Sequence, residues 1–284
     1  MPHQIYIEPA RSILTPTSGF IAEAGFTHSL TPARNCTYGC SYCYVPTMGI
    51  YGGLRPEDVR NWGQRTTFKS NAGQLLKRAL KPRQIIYCSP LVDPFQPAEA
   101  EAGSMQAILD AVAENPPRIF VIQTRSARVL DYLEALQRVA RKTLLRISFS
   151  ITTDDDCIRR IYEPHCDPIE RRFETVRLLV EWGLDTFVTL APLLPCDPDQ
   201  LIDRAMHATS NPILCDPLHT RTAKPRGATT RDAAMRISER HGLEHWHDDA
   251  FQRFTVARMQ DRADKACRRF ATGPAAFRFL TESK

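Results

Sequence analysis

The sequence predicts an α/β protein: an open or partial (β/α)6 barrel of parallel strands, followed by a mainly helical C-terminal extension. Two observations predict it. From about residue 27 to residue 215, short apolar runs rich in β-formers alternate with stretches of helical period, and such alternation implies parallel βα units. Beyond residue 215 the alternation gives way to polar segments of helical character. The expected organisation is an N-terminal extension over 1–26, a core domain over 27–215 and a helical extension over 216–284.

The elements follow in order. "THSLTP" supplies a strand near Thr27–Pro32, and "QIIYCS" (Gln84–Ser89) is a short apolar run expected to be a buried strand. "PAEAEAGSMQAILDAVAE" (Pro97–Glu114) opens with Pro and acidic residues, as helices prefer. "IFVIQT" (Ile119–Thr124) is the next strand, followed by the helix "ARVLDYLEALQRVA". "LLRISFSITT" (Leu144–Thr153) is a strand. "PIERRFETVRLLVEWG" (Pro168–Gly183) is a helix with Pro at its start and Gly at its end. "TFVTLAP" (Thr186–Pro192), a helix over Pro198–Thr209 and "PILC" (Pro212–Cys215) complete about six units. In parallel barrels, ligands sit at the carboxyl ends of the strands, so residues just after each strand are candidates for a site.

Composition bounds the chemistry. The chain of 284 residues is 43% hydrophobic and 24% charged, ordinary for a globular protein. "MPHQIYIEPARSILTP" lacks a basic stretch followed by an apolar run, so no signal peptide is expected. No apolar stretch approaches the length of a membrane span. The expected location is cytoplasmic, with no membrane partner, and a reducing compartment gives the nine cysteines no disulfide framework to build. The net charge of +5 permits a nucleic-acid partner without demanding one.

The densest chemistry lies in "NCTYGCSYCYVPTMG", where Cys36, Cys40 and Cys43 crowd together. Close-spaced cysteines in a cytosolic chain suggest a metal or redox site. Structural zinc takes four closed ligands, but the next cysteine is Cys88 and the next histidine after His28 is His165. A thioredoxin-like CxxC leaves Cys36 surplus. An iron–sulfur cluster suits three thiolates, and a [4Fe-4S] cube so held keeps one iron for an external ligand. Structural or zinc-binding cysteines are the alternative.

"CTYGCSYC" has the CxxxCxΦC form, with Tyr42 as the aromatic, and resembles the signature of the radical S-adenosylmethionine (radical SAM) superfamily. The resemblance implies a [4Fe-4S] cluster on Cys36, Cys40 and Cys43 and S-adenosyl-L-methionine (SAM) on the open iron. It implies reductive cleavage of SAM to a 5′-deoxyadenosyl radical that abstracts hydrogen, and an external electron donor such as flavodoxin or ferredoxin.

"SPLVDPFQPAE" (Ser89–Glu99), "QTRSARVL" (Gln123–Leu130), "SFSITT" with "EPHCDPIERR" (Ser148–Thr153, Glu163–Arg172) and "TLAPLLP" (Thr189–Pro195) together resemble the spore photoproduct lyase-like family, also termed DNA-repair photolyase-like. This resemblance runs from about Thr27 to Pro195. It implies that Tyr42 packs by the adenine and that Ser89 accepts from the SAM ammonium, in place of a GGE string absent here. It further implies that Arg125 pairs with the methionyl carboxylate, a contact suited to a guanidinium fork. Ser150 serves the ribose hydroxyls, and Ser148, two positions away, shares its face of the strand. Arg172 steadies the same ligand, and Asp93 holds Ser89 or its loop. The bland readings are barrel polar groups for Ser148 and Ser150, a turn residue for Asp93 and a solvated helix residue for Arg172.

The lyase itself has a cysteine hydrogen donor near the second strand end. Cys88 is the nearest counterpart, but it lies two residues earlier relative to Asp93 than a direct match requires. It is therefore either a hydrogen donor or a small buried strand residue, and the second reading is preferred. Specific lesion chemistry is thus less supported than general radical SAM chemistry.

The tail carries a basic segment with Arg221, Lys224, Arg226 and Arg231, expected to be a loop entering a helix. "FQRFTVARMQDRADKACRRF" is an amphipathic helix with arginines on its polar face. Such charge either neutralises phosphates or is a solvated face, the second reading being preferred. His241, His245 and His247 stand near Asp248 and Asp249, but Gly242 interrupts the helix that would align them on a metal. The expected function is a radical SAM enzyme with nucleic acid the favoured substrate. The alternatives are a non-catalytic iron–sulfur redox sensor or assembly protein, or a radical SAM enzyme acting on a peptide or small molecule.

Overall fold

A computed structural model describes residues 3–48, 53–219 and 231–283. The strands are β1 (Gln4–Glu8), β2 (Leu14–Pro16), β3 (His28–Leu30), β4 (Ala33–Arg34), β5 (Arg65–Lys69), β6 (Ile85–Cys88), β7 (Ile119–Thr124), β8 (Leu144–Ser150), β9 (Asp185–Leu193), β10 (Ile213–Pro217) and β11 (Phe270–Thr272). One sheet has the order β2-β3-β6-β7-β8-β9-β10-β11. Every neighbouring pair from β3 to β11 is parallel, and β2 runs antiparallel at the edge. The sheet is an open barrel: its two edge strands are not paired to each other among the described residues. A smaller sheet, β1-β5-β4, stands beside it.

The six expected strands are present as β3 and β6 to β10. β11 adds a seventh parallel strand, paired with β10 through Ile213 opposite Phe270. Three residues are too few to show a period, and Phe270 continues a charged helical stretch in sequence. Only burial against β10 marks it as a strand. The helix expected over Pro97–Glu114 divides at Gly103, whose φ of 58° lies in the left-handed region, into Glu99–Ala102 and Ser104–Glu114. The helix Pro198–Ala208 starts where expected because Asp197 caps it, accepting from the N–H of Asp199 (2.9 Å) and Gln200 (3.2 Å).

The alternating strand residues divide the barrel into two cores. Ile86, Phe120, Ile122, Ile147, Phe149, Val188 and Leu190 face the outer helices and pack with Met105, Ile108, Leu136, Phe173 and Leu201. Tyr87, Val121, Phe187 and Leu214 face the other way and pack with Phe26, Phe277 and Leu280. This inner core is a plug: the helix Gly273–Arg278 brings Phe277 against Phe20 of the helix Gly19–Glu23, with ring centroids 5.2 Å apart. The terminal segments are thus packed into the inner face of the barrel. The plug fills the amino-terminal half of the strands and leaves their carboxyl ends for polar groups. No helix among the described residues is long and apolar enough to cross a membrane.

Candidate active site

The cysteine loop follows β4 and is clamped by its own polar residues. Asn35 is buried and has φ of 65°, a conformation that Asn tolerates. Its Oδ1 accepts from the N–H of Cys36 (2.7 Å) and Gly63 (3.2 Å), and its Nδ2 donates to the carbonyls of Asp58 (2.8 Å) and Asn61 (3.2 Å). Gly39 and Gly63 meet backbone to backbone. A Cβ on Gly63 would stand 2.8 Å from the Gly39 Cα, and Gly63 has φ of 85°. The loop is also pinned at three other points. Gln96 Oε1 accepts from the Thr37 N–H at 2.8 Å, the Tyr162 carbonyl accepts from the Ser41 N–H at 2.9 Å, and Tyr44 donates to the Pro90 carbonyl at 2.7 Å.

This clamping buries the thiols of Cys36 and Cys40 and half-buries Cys43. Burial pushes Cys36 far up and Cys43 up to about 12, and charge on Cys40 adds to both shifts. Cys40 is drawn down instead, by its hydrogen bond with Cys166 and then by the Arg125 charge, against burial. The Asp93 backbone N–H donates to the Cys36 sulfur.

The loop after β6 carries the next group. Asp93 Oδ1 accepts from the Phe95 N–H (2.9 Å) and the Thr124 hydroxyl (2.8 Å), and its Oδ2 accepts from the Arg125 N–H (2.8 Å). Asp93 therefore ties this loop to the end of β7, rather than holding Ser89. Burial pushes its carboxyl up despite those donors. Ser89 is buried, and its Oγ has no hydrogen-bond partner among the described residues. Cys88 is fully buried in the core that includes Ile86 and the outer helices. Its thiol is thus packed on the helix-facing side, away from the face that Tyr87 presents.

Arg125 and Arg172 do converge, but on Glu163, a residue the sequence reading did not single out. Arg125 Nη1 and the Tyr42 hydroxyl donate to Glu163 Oε1, and Arg172 Nη2 donates to Oε2. Arg172 Nε also donates to the Asp167 carbonyl at 3.0 Å. Arg172 and Glu163 are both fully buried, so Arg172 is not a solvated helix residue. Burial would raise the Glu163 carboxyl, but Arg172 and Arg125 overcome it and hold it at about 2. Arg125 Nη1 also lies 3.9 Å from Cys40 Sγ. Among the described residues, the Arg125 side chain bonds through Nη1, and it is 16% exposed. The signal for Glu163 was available: two arginines expected at one site need an acidic partner, and "EPHCDP" supplies one.

Below this charged layer, Ser148 and Ser150 share a face, as their spacing requires, and both bond Gln123. Gln123 Oε1 accepts from Ser148 (2.7 Å) and Tyr87 (2.7 Å), and its Nε2 donates to Ser150 at 2.5 Å. Ser148 also lies 2.5 Å from Thr189 Oγ1. The sequence reading missed Gln123, which stands on β7 two positions before Arg125, the residue that follows the strand.

The tail covers one side. Tyr162 and His247 Nε2 both meet Ser238 Oγ, at 2.6 and 2.5 Å, and Trp246 donates to the Leu193 carbonyl at 2.8 Å. His245 packs edge-on against Phe251 rather than joining His241 and His247. Two of the three arginines on the helix Asp249–Lys265 are ion-paired: Arg258 with Asp199 at 2.6 Å, and Arg262 with Asp203. Arg221, Lys224 and Arg226 lie outside the described residues. Arg231 is described and stands at the start of the helix Asp232–His241.

The donor set fits the group that the sequence implies. Three thiols on one loop offer soft ligands, Ser89 offers a buried hydroxyl without a partner among the described residues, and Arg125 offers a partly open guanidinium; the ligand atoms of Cys40, Glu163 and Cys166 also lie within 4.8 Å of one another.

Comparison with known proteins agrees with this arrangement. The Radical SAM superfamily model matches residues 30–208. An uncharacterized protein of Acidianus two-tailed virus is 27% identical over 66% of this chain and 63% of its own. One from Mycobacterium tuberculosis is 23% identical over 64% of this chain and 53% of its own. The chain thus spans between half and two thirds of the length of these relatives. Among solved structures, a mutant of spore photoproduct lyase superposes with a TM-score of 0.66 at 14% identity, covering 94% of this chain and 81% of that one. Another, with bound AdoMet and dinucleoside spore photoproduct, gives 0.62 at 12% identity over the same shares. At such identities the likeness is one of fold. The family match takes in the whole cysteine loop and β6 to β9, the elements that build the site. The chain belongs to the radical SAM superfamily.

Proposed function

We propose that Cys36, Cys40 and Cys43 hold a [4Fe-4S] cluster and that SAM binds beside it at the carboxyl ends of β6, β7 and β8. The single observation that carries this reading is the buried cysteine loop locked against the Asp93–Arg125 corner, within the segment that matches the superfamily. Bound there, the cluster and SAM supply one-electron cleavage of the sulfonium and a 5′-deoxyadenosyl radical for hydrogen abstraction. The chain's residues bind and orient. Ser89 Oγ accepts from the ammonium, which gives that buried hydroxyl its partner. The open donors of Arg125 take the carboxylate, while its Nη1 stays anchored on Glu163. Ser150, held by Gln123, serves the ribose, and Ser148 and Arg172 brace the positions of Ser150 and Glu163. Tyr42, tethered by its hydroxyl, offers its ring to the adenine. Cys88, on the helix-facing side, takes no part in this reading. The electron comes from an external donor of the flavodoxin or ferredoxin type.

The test is anaerobic reconstitution with iron and sulfide, then dithionite and SAM. The reading expects 5′-deoxyadenosine. Cluster-loaded protein that binds SAM but never cleaves it would instead make the chain a non-catalytic iron–sulfur protein.

For the substrate we infer nucleic acid. The net charge of +5 and the fold shared with a lyase solved with a dinucleoside photoproduct support it. The ion pairs of Arg258 and Arg262 remove those two residues from the phosphate-binding surface and leave the basic segment before Arg231 as the contact. Binding to DNA or RNA should then weaken steeply with salt. No salt-dependent binding to either would turn the search to peptides and metabolites.

A further inference from the structure

A fourth cysteine stands against the triplet. Cys166 Sγ is 3.7 Å from Cys40 Sγ, although 126 positions separate them. No other pair of cysteine sulfurs among the described residues lies at hydrogen-bonding distance. Both sulfurs are buried. Each backbone is fixed on its own side. The Cys166 N–H donates to the Glu163 carbonyl at 3.0 Å, and the Cys166 carbonyl accepts from Arg159 at 3.2 Å. On the facing loop, the Ser41 N–H donates to the Tyr162 carbonyl at 2.9 Å, tying the residue after Cys40 to the helix Asp156–Tyr162 that leads to Cys166. The two cysteines are thus held on segments bonded to each other.

A disulfide needs its sulfurs about 2.05 Å apart, so they must close by roughly 1.7 Å. Side-chain rotation is the movement that would bring them together. The consequence depends on Cys40. As a cluster ligand, its sulfur is shielded by iron. In the cluster-free chain it is a free thiol, and oxidation past the first stage would destroy it irreversibly. A second thiol at contact distance intercepts that course.

We propose that Cys40 and Cys166 form a reversible disulfide in the cluster-free chain, so that cluster assembly waits on thiol reduction. The assembly clause rests on the reading above that Cys40 is a cluster ligand; the disulfide does not. With hydrogen peroxide as oxidant, the Cys40 sulfur breaks the O–O bond and takes one oxygen as sulfenic acid, and the other oxygen leaves as water. Cys166 sulfur then attacks Cys40 sulfur. The S–S bond forms, the S–O bond breaks, and the second water leaves with the Cys166 proton. The two thiols are oxidised by two electrons and the peroxide is reduced to two waters.

The experiment uses cluster-free full-length protein, reduced and handled anaerobically, then treated with equimolar hydrogen peroxide, alkylated and mapped as peptides without reduction. The expected result is a Cys40–Cys166 peptide as the main cross-link, released by a thiol reductant. In Cys166→Ala, and in Cys166→Ser, which keeps the size, Cys40 should instead advance to sulfinic acid several-fold more than in the wild type. Cys40 linked chiefly to Cys36 or Cys43, or equal over-oxidation with and without Cys166, would overturn the proposal and leave the cluster reading untouched. Cross-linked protein should take up less than half the iron and sulfide that the same sample takes up after reduction. Full uptake by cross-linked protein would overturn the gating, and Cys40's place at the cluster with it.

Discussion

Glu163→Gln removes one charge from a fully buried polar group in the site and leaves the shape nearly unchanged. In the native chain the carboxylate lies between Arg125 and Arg172, and it and Arg172 are fully buried. A guanidinium cannot shed its proton, so the variant keeps positive charge in the interior without its counter-charge. Breaking a buried pair on one side costs about 3–5 kcal/mol. The carboxyl offers a second route to the magnitude. Held at about 2 instead of an ordinary 4.5, it contributes on the order of 3 kcal/mol at neutral pH. The two routes agree. Urea unfolding of the cluster-free, reduced protein should show this loss as a lower midpoint with an unchanged slope. Replacing the fully buried pair together, Glu163→Leu with Arg172→Met, should recover more than half of it, because Arg125 is partly exposed and can turn to water. A loss below about 1 kcal/mol in Glu163→Gln, or a double variant no better than the single one, would refute the account of the network as a mutually dependent set.

Further outcomes follow from the same geometry. Because the folded carboxyl of Glu163 lies below its unfolded value, its contribution is complete above about pH 4.5 and is lost as the pH falls toward 2. Acid unfolding of Glu163→Gln should lack that part of the pH dependence, as followed by circular dichroism. Gly63→Ala places a Cβ 2.8 Å from the Gly39 backbone at a φ of 85°, so it should cost about 1–3 kcal/mol and lower iron content after reconstitution; full cluster content with unchanged stability would count against the clamp. Arg125→Ala should lower SAM affinity by about one to two decades, the worth of a charge-assisted hydrogen bond, while cluster iron falls less; calorimetry and iron assay separate the two. Phe277→Ala empties the inner plug and should destabilise by about 3–5 kcal/mol, leaving the absorbance of the reconstituted cluster in place.

What the sequence by itself determined is what short spacing and period encode. Cys36, Cys40 and Cys43 pointed to a thiol-rich loop because they sit within eight residues, and β6 to β10 were legible because four to nine residues of apolar, β-branched character suffice to mark a strand. The shared face of Ser148 and Ser150 followed from the pleat alone. What only the tertiary structure decided is which distant residues meet. The 38 positions between Arg125 and Glu163, and the 126 between Cys40 and Cys166, carry no local signal of contact. β11 was hidden because its three residues continue a charged helical stretch, and its strand character comes from a place beside β10. The side of the sheet on which Cys88 packs was likewise settled by which helices cover it. The physical reason is common to all of these. Backbone preference and side-chain period act over a few residues, whereas buried charge, buried thiols and sheet edges are satisfied by whatever partner the folded chain brings within a few ångströms.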